Sequence, residues 1–531
     1  MTRIARPRRQ LIVASAALGG GGLSSILAHA QAPAPVTLDR ARPGFPSGVQ
    51  SGDVHSDRGM VWARTDRPAR MWIDWSTTSS LADAKRVRGP YATELSDFSA
   101  RVDLTDLPAG QDIFYRVQFE DLIAGTLSEP MSGHFRTAPN RAGDIRFLWS
   151  GDTAGQGWGI NSAFGGMRIY EAMRKRDPDF FIHSGDTIYA DGPMQAEVTL
   201  PDGSVWRNDV LTEEKSKVAE TLKEFRGNYR YNQLDANVRR FNSEVMQIWQ
   251  WDDHEVTNNW SPSKDLSGDK RYTEKSVPLL TERATRAFLE NAPMRWHAQD
   301  EEARVYRKLS YGPLLDVFVI DMRSYRGPNT ANLQTGIDTE STFLGEAQLA
   351  WLRDGLSRSR AVWKVIASDM SIGLQIGDAK DAQGRARWEA VANGDDGAPR
   401  GRELDIAGLL SFIRRRRIRN TVWLTADVHY TAAHHYHPNR ASFQDFEPFW
   451  EFVGGPLHSG GFGPNQLDRT FGPEVKFFKA PKAGIVNESP MAGGQYFGEV
   501  EIDGKTAAMT VHLREINGAS LWSTTLAPQR A

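Results

Sequence analysis

Repeatedly along this chain a short apolar segment runs straight into a polar loop, and that repetition restricts the available folds more than any other feature. "IRFLWS" leads into "GDTAGQGWGIN", "PDFFIHS" into "GDTIYADGP", "EVMQIWQW" into "DDHEVTNN", "LLDVFVID" into "MRSYR", "AVWKVIAS" into "DMSIG" and "NTVWLTA" into "DVHYTAAHHYHP". Short apolar runs bounded by turn residues are the pattern of buried strands. Between them, "AFGGMRIYEAMRKRD", from near Asn161, reads as a helix, and "LGEAQLAWLRDGLSRS" and "ELDIAGLLSFIRRR" carry apolar residues at helical spacing. Strand, loop, helix and strand in succession predict an α/β fold whose polar motifs gather at the carboxyl ends of its strands.

The region before Ile145 has a different pattern. Over residues 38–137, "GMVWARTD", "ARMWIDWST", "ARVDLTDL" and "DIFYRVQFED" alternate apolar and polar residues between turns, which predicts a small β-sandwich. At 531 residues the chain has room for this module and a larger catalytic domain over 144–525. Sixty-four basic against 66 acidic side chains leave a formal charge of -2, so there is no electrostatic case for nucleic-acid binding. With no cysteine, disulfides, thiolate ligands and cysteine nucleophiles are excluded.

Residues 1–30 read as a processing segment. Arg8 and Arg9 precede a weakly apolar run rich in Gly and Ala, with small residues at Ala28 and Ala30, the pattern of a twin-arginine export signal. The twin-arginine machinery would then be a partner, and the processed chain periplasmic or secreted. No later run is long and apolar enough to span a bilayer, so no stable membrane anchor is expected after processing.

"IWQWDDHEVTNNW" crowds Asp252, Asp253 and Glu255 beside tryptophans. Carboxylates in so apolar a setting must protonate, find hydrogen-bond donors or hold a cation. Asp152, Asp186, Tyr189, Asp253, His254, Asp427 and His429 all lie at strand ends, and carboxylates, imidazoles and phenolates projecting from separate strand ends are the usual donors to hard and borderline ions. Singly, each strand-end aspartate is equally a turn or helix cap. Capping does not explain the Asp-x-His of "ADVH" alongside "GDTIY" and "DDHE". Asp252 reads as structural, and His183 as a residue behind the ligands. Arg323 and Arg326 stand equally as contacts for a substrate phosphate or as structural groups, and His434, His435 and His437 as packing or surface residues. "GDTAGQGWG" lacks the Gly-Lys-Ser/Thr ending of a nucleotide-binding loop.

"FPSGVQSGD", "HSGDTIYAD", "WDDHEVTNNW", "LLDVFVIDMRSYR", "LTADVHYTAAHHYHP" and "EFVGGPLHSGGFGP" closely resemble the PhoD-like alkaline phosphatases and phosphodiesterases of the calcineurin-like metallophosphoesterase superfamily, over almost all of the chain that follows the export segment. The resemblance implies a four-layer α/β/β/α catalytic domain behind the β-sandwich. It also implies a centre of two or three metal ions, iron with calcium favoured and zinc or manganese open. By the same resemblance Asp186 bridges the ions, Tyr189 and His429 join Asp152 on one of them, and Asp427 and Asp253 serve the neighbour. A metal-bound hydroxide would attack phosphorus while His254 assists the leaving group, with Glu255 orienting that histidine. Asp152 departs from the family pattern, which carries a cysteine there. The implied activity is hydrolysis of phosphate mono- or diesters at alkaline pH. Its alternatives are a phospholipase D-like diesterase and a non-catalytic exported binding protein with a structural metal.

Overall fold

The computed structural model describes residues 39–296, 304–381 and 383–529, so the export segment expected at 1–30 lies outside the described residues. Of the short leading unit that ends at Ala41, the described part is a 3-10 turn, Asp39–Ala41. The unit from Arg42 onward is an α/β fold built on two large mixed sheets and a smaller antiparallel one.

The apolar segments form strands where expected: Ile145–Ser150, Phe180–Ser184, Met246–Gln250, Leu315–Val319, Trp363–Ala367 and Thr421–Thr425. The first three are consecutive parallel neighbours in a nine-stranded sheet. The last three, with Phe449–Val453, are consecutive parallel neighbours in a seven-stranded sheet. Parallel strands covered on both sides carry apolar residues on both faces, which is why these segments read as near-continuous apolar runs. Phe147, Trp149, Phe180, Ile182 and Ile248 share one core with Val317, Val319, Val365, Val422 and Leu424 of the other sheet. The alternate residues face helices. Leu148 and Phe181 pack with Ile169, Met173, Val238 and Phe241, while Phe318, Ile366 and Trp423 pack with Leu352, Leu356, Ile406 and Leu410.

One expectation needs correction. The helix placed near Asn161 forms only at Ile169–Arg174, because Asn161 Oδ1 accepts the Phe164 N–H and closes a turn, and Gly165 and Gly166 follow with left-handed φ of 92° and 65°. The N-terminal strands lie in two sheets, one of them continuous with the strands that follow. Ala69–Ser76, Lys85–Ala92, Asp112–Asp121 and Met131–Arg136 form a four-stranded sheet, but Val49–Gly52, Gly59–Arg64 and Ser99–Leu104 extend the nine-stranded sheet beyond Met246–Gln250. The join is the parallel pairing of Val49–Gly52 with Met246–Gln250, and Ile73, Ile113 and Val117 lie in the same core as Val61 and Ala63. Alternation along each strand was legible; the partner across the ladder was not.

Trp149 shows how tightly the sheet is packed. Its fully buried indole lies against Gly498, its partner across the ladder, where a Cβ would fall 2.0 Å from the ring. Gly498→Ala should therefore force the indole to move and cost about 1–3 kcal/mol. A urea titration with a lowered midpoint and unchanged slope is the expected outcome.

Candidate metal centre

Because neighbouring strands are parallel and in register, their carboxyl ends deliver the polar loops to one place. Gln250 Nε2 donates to Ile320 O at 3.1 Å and Trp149 Nε1 to Thr425 O at 3.2 Å, which ties the strand ends of one sheet to those of the other. The loops continue the ladder past the strands: Thr153 N–H donates to Asp186 O at 2.9 Å and His458 N–H to Asp152 O at 2.9 Å. Asp152, Asp186, Asp427 and His429 all take left-handed backbone, with φ of 69°, 51°, 72° and 59°. Non-glycine residues seldom adopt that region, and held strain of this kind concentrates at functional sites. Gly185, with φ of 101°, allows the turn before Asp186, since a Cβ there would lie 2.4 Å from the Asp252 Cβ.

Three groups of donors result, each with ligand atoms within 4.8 Å of one another: Asp152, Asp186 and His429; Asp186, Asp253 and His254; and Asp252, Asp253 and Asp427. Asp186 belongs to the first two. Tyr189 joins the first, its hydroxyl 2.9 Å from His429 Nε2, and Asp152 Oδ1 lies 3.4 Å from the same nitrogen. His429 Nδ1 is held by Gly460 O at 2.5 Å and lies 2.8 Å from Ser459 Oγ, which leaves Nε2 for the site. Both carboxylate oxygens of Asp152 are buried without a hydrogen-bond partner among the described residues. An orphaned carboxylate beside an imidazole and a phenol fits a cation, and an all-oxygen and nitrogen donor set suits hard to borderline ions. Asp186, Asp253, His254, Asp427 and His429 border a cavity of about 420 Å³ that reaches solvent past Phe462 and Val486.

This architecture agrees with known proteins. The PhoD-like phosphatase family profile matches residues 147–513, and that of the PhoD-like phosphatase N-terminal domain matches 30–139. The chain belongs to the PhoD-like phosphatase family. It is accordingly a phosphoric ester hydrolase. Alkaline phosphatase D of Bacillus subtilis (strain 168) is 26% identical over 505 residues, 89% of this chain and 80% of that protein. A solved structure of PhoD superimposes with a TM-score of 0.67 at 20% identity, over 93% of this chain and 90% of that one. A purple acid phosphatase from yellow lupin (Lupinus luteus) seeds gives 0.53 at 11% identity, over 91% and 75%, a likeness of fold.

Several residues of this phosphatase stand in other relations than the sequence suggested. His254 is oriented by Asp191, whose Oδ1 lies 2.6 Å from Nδ1; Glu255 does not touch the ring. Glu255 instead accepts the backbone N–H groups of Asp186, Thr187 and Asp252 at 3.1, 2.6 and 2.7 Å, knitting two strand-end loops together. Arg323 is fully buried among carboxylates. Its Nε donates to Asp252 at 2.6 Å and Asp369 at 3.0 Å, Nη1 meets Glu389, and Nη2 lies 3.7 Å from Asp427. Arg326 Nη2 donates to Asn329 and the Glu389 carbonyl, while its Nε and Nη1 are buried without a hydrogen-bond partner among the described residues. His183 lies behind the ligands, 2.9 Å from Thr153 Oγ1 and 3.4 Å from Thr187 Oγ1, so it braces the residues that follow Asp152 and Asp186. His434 pairs with Glu451 at 3.0 Å and His437 caps the turn at Asn439, both outside the three donor groups. Asp191 and the countercharges Asp369 and Glu389 went unrecognised. Asp191 stood inside "GDTIYAD", where its distance from the first aspartate was the available signal.

Burial, reinforced by neighbouring carboxylates, pushes Asp152, Asp186 and Asp427 well above the usual carboxylate range. Burial opposes a charge on His254, but Asp191, Asp253 and Asp186 outweigh it and raise its pKa well above the usual imidazole value. Burial lowers His429 to about 4 and His183 to about 3, so both are neutral near pH 7. Glu255→Ala would leave three N–H groups without their acceptor and should destabilise the fold by roughly 3 kcal/mol or more. Chemical denaturation of the variant is the check, with Glu255→Gln losing less.

Proposed function

We propose that this phosphatase is exported and hydrolyses organic phosphate mono- or diesters with two or three metal ions seated among the strand-end carboxylates. The observation that carries the reading is Asp186, common to two donor groups that between them hold Asp152, His429, Asp253 and His254. Asp152, Tyr189 and His429 would hold one ion, Asp253 and Asp427 another, and Asp186 would be shared. A phenol and imidazole among carboxylates favour iron with calcium over zinc or manganese. When bound, such ions neutralise an anionic ester and lower the pKa of water. The chain supplies the rest. Asp191 fixes His254 at Nδ1, and the ring borders the cavity, so its other nitrogen can donate a proton to the departing alkoxide. Phe462, Ile485 and Val486 line the mouth and would shield the organic part of the ester.

The same reading makes the two large sheets the inner layers of a four-layer α/β/β/α domain over 144–525, behind the sandwich of 38–137. The core shared between the sheets and the helices on their outer faces support it. Among the described residues no helix is long and apolar enough to cross a membrane. Together with the paired Arg8 and Arg9, this favours a periplasmic or secreted chain delivered by twin-arginine export.

Protein purified without added metal should contain iron and calcium by elemental analysis. It should cleave a nitrophenyl monoester or bis-nitrophenyl diester faster than phosphatidylcholine, and lose turnover on chelation. Inactivity on all three substrates with metals restored would refute the reading. Asp186→Asn should lower the content of both ions and cut turnover by about 10²-fold or more, whereas Asp152→Asn should chiefly deplete one ion. Asp191→Asn should keep the metal content and lower kcat by about 10²-fold, with the alkaline limb of the pH profile moved to lower pH as His254 loses its principal partner.

A further inference from the structure

The helix Glu403–Arg415 runs into arginines at 414, 415, 416, 417 and 419, all of them exposed. A helix C-terminus favours basic side chains in its last turn, which accounts for Arg414 and Arg415. It does not account for Arg417 and Arg419, which follow the helix. Arg414 is the arginine of this tract that is paired, with Asp445 at 2.8 Å and Glu447 at 3.9 Å. Among the described residues no carboxylate lies within 4 Å of Arg415, Arg416, Arg417 or Arg419, nor of the exposed Arg360. Arg417 and Asn420 have left-handed φ of 54° and 59°, so the tract is a tight ridge. Two surface grooves flank it, of about 530 and 710 Å³, and Arg417 and Arg419 line both. Lys364 pairs in register with Thr421, so the second groove adds Lys364 and Arg360 to the same edge of the sheet.

This edge lies at the amino ends of Trp363–Ala367 and Thr421–Thr425, whereas Asp427 and His429 follow the carboxyl end of the latter. At about 3.3 Å per residue, a five-residue strand puts roughly 17 Å between the ridge and the start of the site loop. In a chain of formal charge -2, an uncompensated basic ridge is a local asymmetry, not a reflection of overall composition.

We propose that this ridge docks the protein on an anionic lipid bilayer, with the metal-site cavity directed away from the lipid. Guanidinium groups match phosphate head groups in geometry and charge, and convergent basic side chains are attracted to the negative potential of such a surface. The phosphatase would then be retained at a membrane while its mouth receives soluble esters. Docking does not depend on which ester is hydrolysed.

The test is sedimentation of the processed full chain with vesicles of phosphatidylcholine alone and of phosphatidylcholine with one third phosphatidylglycerol. Binding is expected to the anionic vesicles only, and to fade as salt shortens the screening length. The triple variant Arg415→Gln, Arg417→Gln, Arg419→Gln should bind about 10²-fold more weakly, with turnover of a soluble ester unchanged. The corresponding lysine variant should retain most of the binding, and thermal unfolding verifies that both variants are folded. No retention on anionic vesicles at low salt, equal retention on phosphatidylcholine, undiminished binding by the glutamine variant, or capture by soluble polyphosphate without capture by vesicles would each overturn the proposal.

Discussion

Asp152, Asp186, Asp252 and Asp253 are packed at the meeting of two sheets with almost no access to water, beside a half-buried Asp427, and the surrounding structure follows from the need to make that tolerable. Burial alone holds most of these groups far from their ordinary ionisation, and their mutual repulsion adds to it. The protein meets part of the charge itself. Arg323 stands among Asp252, Asp369 and Glu389 with its guanidinium wholly buried, and His254 answers Asp191. Asp152 receives no such partner, its two oxygens left without a donor. Where the chain supplies no countercharge, the donors converge in the geometry of a cation site.

That arrangement demands precise backbone placement, and the fold supplies it beyond the ends of the regular strands. Left-handed residues at Asp152, Asp186, Asp427 and His429 aim their side chains inward. Glu255, His183 and the hydrogen bonds from Thr153 and His458 hold the turns in that state. Strain of this kind persists only when neighbours over-determine it. The rigid register of the parallel strands, packed on both faces, provides the frame to which those neighbours are attached.

Much of the site was legible in the sequence because strand ends announce themselves. An apolar run that stops at Gly-Asp or Asp-x-His locates both the strand and the residue presented at its end, and Asp152, Asp186, Tyr189 and His429 do lie together, with Asp427 in the group of Asp252 and Asp253. The roles that depend on side-chain partners were less legible. Glu255 is next to His254 in sequence, yet it points to the backbone of another loop, while Asp191, from a different strand end, reaches the imidazole. Arg323 and Arg326 looked equally suited to a substrate phosphate or to the interior, and only the surrounding carboxylates and carbonyls place them inside.

The sequence by itself determined the α/β class, the positions of the buried strands, the family and most of the candidate donors, Asp252 excepted, because hydrophobic period and strand-end chemistry are local properties of the chain. The tertiary structure alone decided that Val49–Gly52 pairs with Met246–Gln250, that Asp186 is shared between two donor groups, and which buried carboxylates are answered by Arg323. Those outcomes depend on which segments, distant in sequence, become neighbours, and on how buried charges balance once water is excluded. Neither can be read from one segment at a time.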